Sequence, residues 1–320
     1  MLRTLLPILC FAACHGPRSA LDPAGADAER ILWLFVAMAV GAVAIWLFVV
    51  GLAVHATLTQ RTLEPARARN LVIGGGTLLP TVVLSVLLVG GLAQMPALLD
   101  PGPADGLRVL VSAEQFWWRI GYRTPDGRVI ATANELRLPV GPRTRVELTS
   151  ADVVHSFWIP SLAGKMDAIP GRTNRLGLQP LREAELEGVC AEFCGPSHAH
   201  MGFAVVTLAP EAFEAWLQAQ AAAAAPAALA SPGRDRFLRT GCGACHTVRG
   251  TPADGVLGPD LTHVGSRRTL AGGVLPNDVP GFRAFLADPR RHKPGVGMPG
   301  FAGLPDADLD VLATWLESLQ

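Results

Sequence analysis

The sequence predicts a multidomain chain with a two-helix transmembrane hairpin, then an all-β domain, then an all-α domain. Three observations predict it. Two apolar runs, residues 31–57 and 71–95, each exceed the roughly 20 residues that a helix needs to cross a bilayer. Short stretches of alternating apolar and polar residues follow, separated by turn residues. Beyond residue 233 that alternation gives way to helical spacing. Composition agrees, since 50% of residues are hydrophobic and 17% charged, as suits a chain partly in lipid. The formal net charge is zero, so no basic balance favours nucleic acid as a partner.

Residues 1–14 read as a signal peptide. Arg3 precedes an apolar core, and Ala12, Ala13 and Cys14 resemble a lipoprotein cleavage box in which Cys14 becomes the lipidated residue. The hairpin occupies residues 29–97. Its connecting segment holds Arg61, Arg67 and Arg69 against Glu64, whereas the outer flanks carry Asp22, Asp27, Glu29, Asp100 and Asp105. By the positive-inside rule the connection is cytoplasmic, and both ends face the periplasmic side of a bacterial plasma membrane. His55, near the end of the first run, reads as an interfacial residue.

The β domain is placed at residues 105–217. Leu107, Val109 and Val111 alternate with polar neighbours, as do Val146 and Leu148 with Arg145 and Glu147. Pro125-Asp126-Gly127, Gly141-Pro142 and Pro170-Gly171 mark turns, and such spacing suggests a sandwich or barrel. Residues 218–232 are rich in Ala and Pro and read as a linker. In the α domain, residues 233–320, Asp306 can cap a closing helix with Leu309, Leu312, Leu316 and Leu319 on one face. So small a domain gains much of its apolar interior from a bound prosthetic group.

Six cysteines are present, and Cys10 and Cys14 belong to the leader. Cys190 and Cys194 lie close to His198 and Met201, a soft donor set in which the thioether leans toward copper. Zinc sites favour all-Cys/His sets and iron–sulfur clusters favour four thiolates. His155 is a second candidate imidazole. With two thiolates, one His for each ion and weak axial donors, the set suits a two-copper centre. Separately, Cys242-Gly243-Ala244-Cys245-His246 is the C-x-x-C-H attachment sequence of a c-type haem. Cys242 and Cys245 form its thioethers and His246 its proximal ligand. Met298, the one Met after the linker, is the distal ligand, with His263 and His292 as rivals.

Cys190, Glu192, Cys194, Gly195, His198 and Met201 meet the pattern C-x-E-x-C-G-x-x-H-x-x-M, and His155 sits in a D-x-x-H-S-F segment. The region thereby resembles the CuA domain of cytochrome c oxidase subunit II, a cupredoxin-like β barrel behind a membrane hairpin. The resemblance implies that Cys190 and Cys194 bridge the coppers, with His155 and His198 as terminal imidazoles. It makes Met201 and the Glu192 backbone carbonyl axial, and offers the Glu192 side chain to a Mg²⁺ at the interface with the catalytic subunit. Gly258 to Leu261 and the Pro/Gly-rich loop around Met298 likewise resemble class I cytochromes c. His200 reads as a neighbour of the ligands without a role of its own. Two departures stand out. Phe116 takes the place of the family's first Trp, the residue where electrons arrive, leaving Trp117 and Trp118 as substitutes. Ile73 stands where a Glu of the second membrane helix often feeds a proton channel.

As a whole the chain resembles subunit II of a caa-type oxidase, with its cytochrome c donor fused on. That implies a route from an external soluble or membrane donor through haem c and CuA to haem-copper subunit I and the other oxidase subunits. Dioxygen is then reduced to water in the partner, because the two spans contribute only His55 and hold no His cluster. The alternative is the same module in a nitric-oxide reductase or related haem-copper reductase. Intact copper ligands argue against a quinol oxidase, and a stand-alone sensor or copper carrier would purify without a multi-span partner.

Overall fold

The computed structural model describes residues 15–59 and 63–320. The leader with Cys14, and Arg61 of the connecting segment, lie outside the described residues. Two helices of 34 residues each form the hairpin, α1 (Ala26–Thr59) and α2 (Pro65–Leu98). Each is about 50 Å long at 1.5 Å per residue, ample for a bilayer. Their central windows are not buried by the rest of the chain, and Trp33, Phe35, Trp46, Leu84 and Leu88 are exposed. A helix apolar on every side is stable in lipid, not in water. Gly74–Leu78 of α2 is a π-helical turn, directly after Ile73, where three successive glycines let the backbone widen.

The β domain has ten strands. They are β1 (Arg108–Glu114), β2 (Trp117–Arg123), β3 (Val129–Ala133), β4 (Glu135–Pro139), β5 (Thr144–Ser150), β6 (His155–Trp158), β7 (Met166–Ala168), β8 (Asn174–Leu178), β9 (Ala184–Cys190) and β10 (Gly202–Leu208). One sheet has the order β3-β2-β1-β5-β8, the other β4-β10-β9-β6-β7. The β1–β5 and β4–β10 pairs are parallel. Along β1 every second residue is buried, the pattern of a strand with one face on a core. Val109, Val111, Trp118, Ile120, Leu136, Leu138, Val146, Leu148, Phe157 and Phe203 fill the space between the sheets. The only tyrosine of the chain, Tyr122, is wholly buried there. Its hydroxyl donates to the Arg137 carbonyl at 3.0 Å and accepts from the Arg137 N–H at 2.7 Å, so nothing polar is left unsatisfied at that position.

The segment before α1 packs on this domain. Pro17 accepts a hydrogen bond from the Glu187 N–H at 2.9 Å, and the Ala24 N–H donates to Ser161 at 2.7 Å. Asp27 receives Arg143 at 2.6 Å, and both side chains are largely buried.

The rest of the chain is mainly helical, with one short antiparallel pair, Thr269–Leu270 and Leu275–Pro276: α3 (Pro210–Ala221), α4 (Pro226–Leu229), α5 (Pro232–Arg239), α6 (Val279–Ala287), α7 (Pro289–His292) and α8 (Asp306–Glu317). Leu309, Leu312, Leu316 and Leu319 are buried against Phe237, Phe282 and Trp315, as their spacing predicts. Asp306 is not the cap: Pro305 holds that position, and Asp306 stands in the first turn, paired with Arg283. There its carboxylate still faces the positive end of the helix dipole. The Ala-rich stretch is not slack chain. Ala224 and Ala228 are buried in the helical core, and the Trp315 indole donates to the Ala228 carbonyl at 2.9 Å. Side chains this small let the backbone itself become the packing surface. Across to the β domain, Gln220 donates to the Ala131 carbonyl at 3.1 Å and the Arg268 N–H to Glu135 at 2.7 Å.

Candidate metal centres

The first centre lies where β6, β9 and β10 meet. The β6–β9 pairing sets Phe157 against Cys190, so His155 and Cys190 reach one end of the sheet together. The loop from Cys190 to Met201 closes on itself, its ends joined by a Cys190 N–H bond to the Met201 carbonyl at 3.2 Å. His198 opens a 3₁₀ turn, His198–His200, inside that loop. The two Sγ atoms are 3.9 Å apart. Cys190 Sγ lies 3.8 Å from His155 Nδ1, and Cys194 Sγ lies 3.6 Å from His198 Nδ1. Met201 Sδ is 3.8 Å from Cys194 Sγ, and the Glu192 carbonyl is 3.2 Å from Cys190 Sγ. The predicted donors converge, while the Glu192 side chain and His200 point into solvent.

Electrostatics fit a cation. Burial opposes ionisation of both thiols, yet contacts with His155 and the Glu192 backbone hold Cys190 below the usual thiol range. Burial and the charge on Cys190 push Cys194 well above it. Two thiolates this close ionise together only with positive charge between them. Asp152 is the partner that spacing did not single out. It meets His155 Nε2 at 2.7 Å, which commits that nitrogen's proton and turns Nδ1 toward Cys190. An acid three residues before a ligand histidine was the available signal.

The aromatic candidates divide. Trp118 is wholly buried, donates to the Met201 carbonyl at 3.2 Å and meets the His155 ring edge-on at 6.1 Å. Trp117 is half-buried beneath Arg119, whose guanidinium carbon is 4.6 Å from its ring centroid. Phe116 is buried beside Gly195, where a β-carbon would come within 3.1 Å of its ring. Around the centre Val153, Val154 and Phe193 are exposed, the last at 77%. Such an apolar rim suits contact with another protein.

The second centre is built on the turn after α5. Cys242–Ala244 forms a 3₁₀ turn that leads to Cys245 and His246. His246 Nδ1 lies 2.8 Å from the Pro259 carbonyl, to which it donates, so Nε2 is left as the free donor for iron. Burial lowers the pKa of His246 and keeps the ring neutral, as ligation needs. Gly258 lies against that ring: a β-carbon there would sit 2.4 Å from Cε1. Burial pushes the Cys242 thiol up to about 11, so it rests as a thiol. Met298 follows α7 and packs on the helical core. The rival His263 is committed, its Nε2 donating to the Ala222 carbonyl at 3.1 Å. Both donor sets fit the groups that the sequence implies.

Comparison with known proteins gives the family. The profile of the cytochrome c oxidase subunit II periplasmic domain matches residues 119–208, and that of cytochrome c matches residues 230–320. Cytochrome c oxidase subunit 2 of Alkalihalophilus pseudofirmus is 34% identical over 251 residues, covering 76% of this chain and 72% of the relative. The chain belongs to the cytochrome c oxidase subunit II family. Its counterpart in Bacillus subtilis is 33% identical over 266 residues, covering 76% of this chain and 73% of the relative. A solved periplasmic domain of subunit II from Bradyrhizobium japonicum is 28% identical, with a TM-score of 0.35, covering 37% of this chain and 95% of that one. As a subunit II, the chain is a membrane component of an oxidase complex with periplasmic domains and other oxidase subunits as partners. Its two matched domains imply copper and haem c. Nothing favours the reductase alternative.

Proposed function

We propose that this subunit passes electrons from an external soluble or membrane donor through haem c and a binuclear CuA centre to subunit I, which reduces dioxygen to water. The observation that carries the reading is the paired donor set: two sulfurs 3.9 Å apart, each with its own imidazole within 3.8 Å. Two thiolates and two imidazoles would also suit one tetrahedral ion; the Met201 thioether beside Cys194 and the Glu192 carbonyl beside Cys190 bring the set to six donors, one further donor for each of two ions. Cys190, Cys194, His155 and His198 would hold the two coppers, with Met201 and the Glu192 carbonyl as weaker donors. Cys242 and Cys245 anchor the haem, with His246 and Met298 on its iron. Bound there, these groups supply one-electron transfer without making or breaking bonds to substrate. The chain holds their ligands on strand ends and short turns, where burial excludes water and fixes the donors before the metal arrives.

The exposed Glu192 carboxylate is assigned to Mg²⁺ at the interface with subunit I, beside the Val153, Val154 and Phe193 rim. Contact between the segment before α1 and the β domain supports a hairpin with both ends on the periplasmic side of a bacterial plasma membrane. The test is metal analysis and paramagnetic resonance on the purified complex. The expected result is copper beyond that of subunit I, with hyperfine structure from an electron shared by two equivalent ions. Zinc in these positions, or a signal from one isolated copper, would overturn the reading.

A further inference from the structure

Lys293 is 3% exposed, and its ammonium reaches out of the helical domain to donate to the Phe116 carbonyl of the β domain at 2.5 Å. A buried lysine is expensive, since desolvation penalises its charge, and here burial pulls it down to about 7. Next to it, Ser197 Oγ, from the loop between Cys194 and His198, donates to the Pro294 carbonyl at 2.7 Å. Gly295 follows with φ +84°, and a β-carbon there would lie 3.3 Å from the Phe116 ring. On the other side of the Phe116 ring is Gly195, and Gln115 donates to the Cys194 carbonyl at 2.5 Å. The loop that leads to Met298 and the loop that holds Cys194 thus touch directly through Ser197 and Pro294, and both also lie against the Phe116 ring.

A second contact is made from β2, close to that turn. Arg119, stacked on Trp117, donates to the Val256 carbonyl at 2.8 Å, just ahead of the Gly258 that lies against His246. The segments on the proximal and distal sides of the haem site therefore meet the β domain at β2 and at the turn that leads into it.

Resting on the reading above, we propose that Lys293 is a positioning residue. It latches the haem-bearing domain to the β1–β2 turn, so that one electron crosses from haem iron to copper through the Phe116 contact with no proton moved. The latched domain is a fixed donor, and the chain's own loop covers the aromatic turn that a soluble donor would otherwise touch.

The test uses the whole oxidase complex carrying Lys293→Met, Lys293→Gln or Ser197→Ala. With Lys293→Met, amide exchange in residues 115–118 and 293–298 should rise about tenfold, the factor set by ~1.4 kcal/mol and well within the cost of orphaning a buried carbonyl. Laser-triggered transfer from haem c to copper should slow by a similar factor. The haem and copper spectra should not change. Lys293→Gln keeps an N–H donor and should restore most of both readouts. Exchange and transfer at wild-type rates in Lys293→Met would overturn the latch. Should that variant not assemble, Ser197→Ala decides by the same two readouts. Absence of haem-to-copper transfer in the unsubstituted complex would instead defeat the parent reading, while amide exchange still decides the latch.

Discussion

Asp152 decides which nitrogen of His155 faces the thiolates. By taking the Nε2 proton at 2.7 Å it leaves Nδ1 for a metal, and its other bonds, from the N–H groups of Gln115 at 2.6 Å and Val153 at 2.7 Å, hold the carboxylate still. Asp152→Ala should weaken copper binding by about 10–100-fold, the usual effect of losing a partner behind a metal ligand. Asp152→Asn, which still offers an acceptor, should cost less. Competition of the metal-free complex against a copper chelator measures both, and unchanged affinity in the Ala variant would count against the role. The proposed ligands could be nominated because Cys190 to Met201 and Cys242 to His246 are local clusters, whose chemistry follows from residue type and spacing. Asp152 stands in the D-x-x-H-S-F segment, but its role was not legible, because a ring's orientation depends on neighbours from two loops. Lys293 was less legible still, reading as one more loop cation until Phe116 covers it.

Helix α8 shows how far an element can be read before it is seen. Its leucines fall on one stripe by spacing alone, and that stripe is the buried one, while Val311 on the other side is 40% exposed. Leu312→Ala should cost about 2–5 kcal/mol by leaving a cavity among Phe237, Phe282 and Trp315. Val311→Ala should stay within about 0.5 kcal/mol, as surface changes do. Thermal melts of the complex, followed by the circular dichroism of the haem band, separate the two, and equal midpoints would contradict the assigned face. The Ala-rich stretch is the counterexample. Composition spoke for a linker, but alanine is neutral between a solvated tether and a tightly apposed backbone. Burial of Ala224 and Ala228 under Trp315 is settled by what lies opposite them.

At the scale of the whole molecule, the order of parts along the chain does not state which parts touch. Residues 15–28 pack on a domain that begins after both membrane helices, held by Asp27 and Arg143. Asp27→Ala should cost about 1–3 kcal/mol, the loss of a charged hydrogen bond at a buried site. It should also expose this segment to protease added to the periplasmic face of oriented vesicles. Cleavage no faster than in the unsubstituted chain would show that the segment is held by its backbone bonds alone.

The sequence by itself determined the two apolar helices and the β-then-α order, and it nominated both proposed sets of soft and haem ligands. Each of these follows from short-range pattern: hydrophobic run length, period, or donors a few residues apart. Only the tertiary structure decided that Ala224 and Ala228 of the Ala-rich stretch are buried, that the lone tyrosine is a satisfied core residue, and that Lys293 reaches the Phe116 carbonyl. Those depend on residues far apart in the chain arriving at one place, and a buried charge or a small side chain has no meaning until its neighbours are fixed.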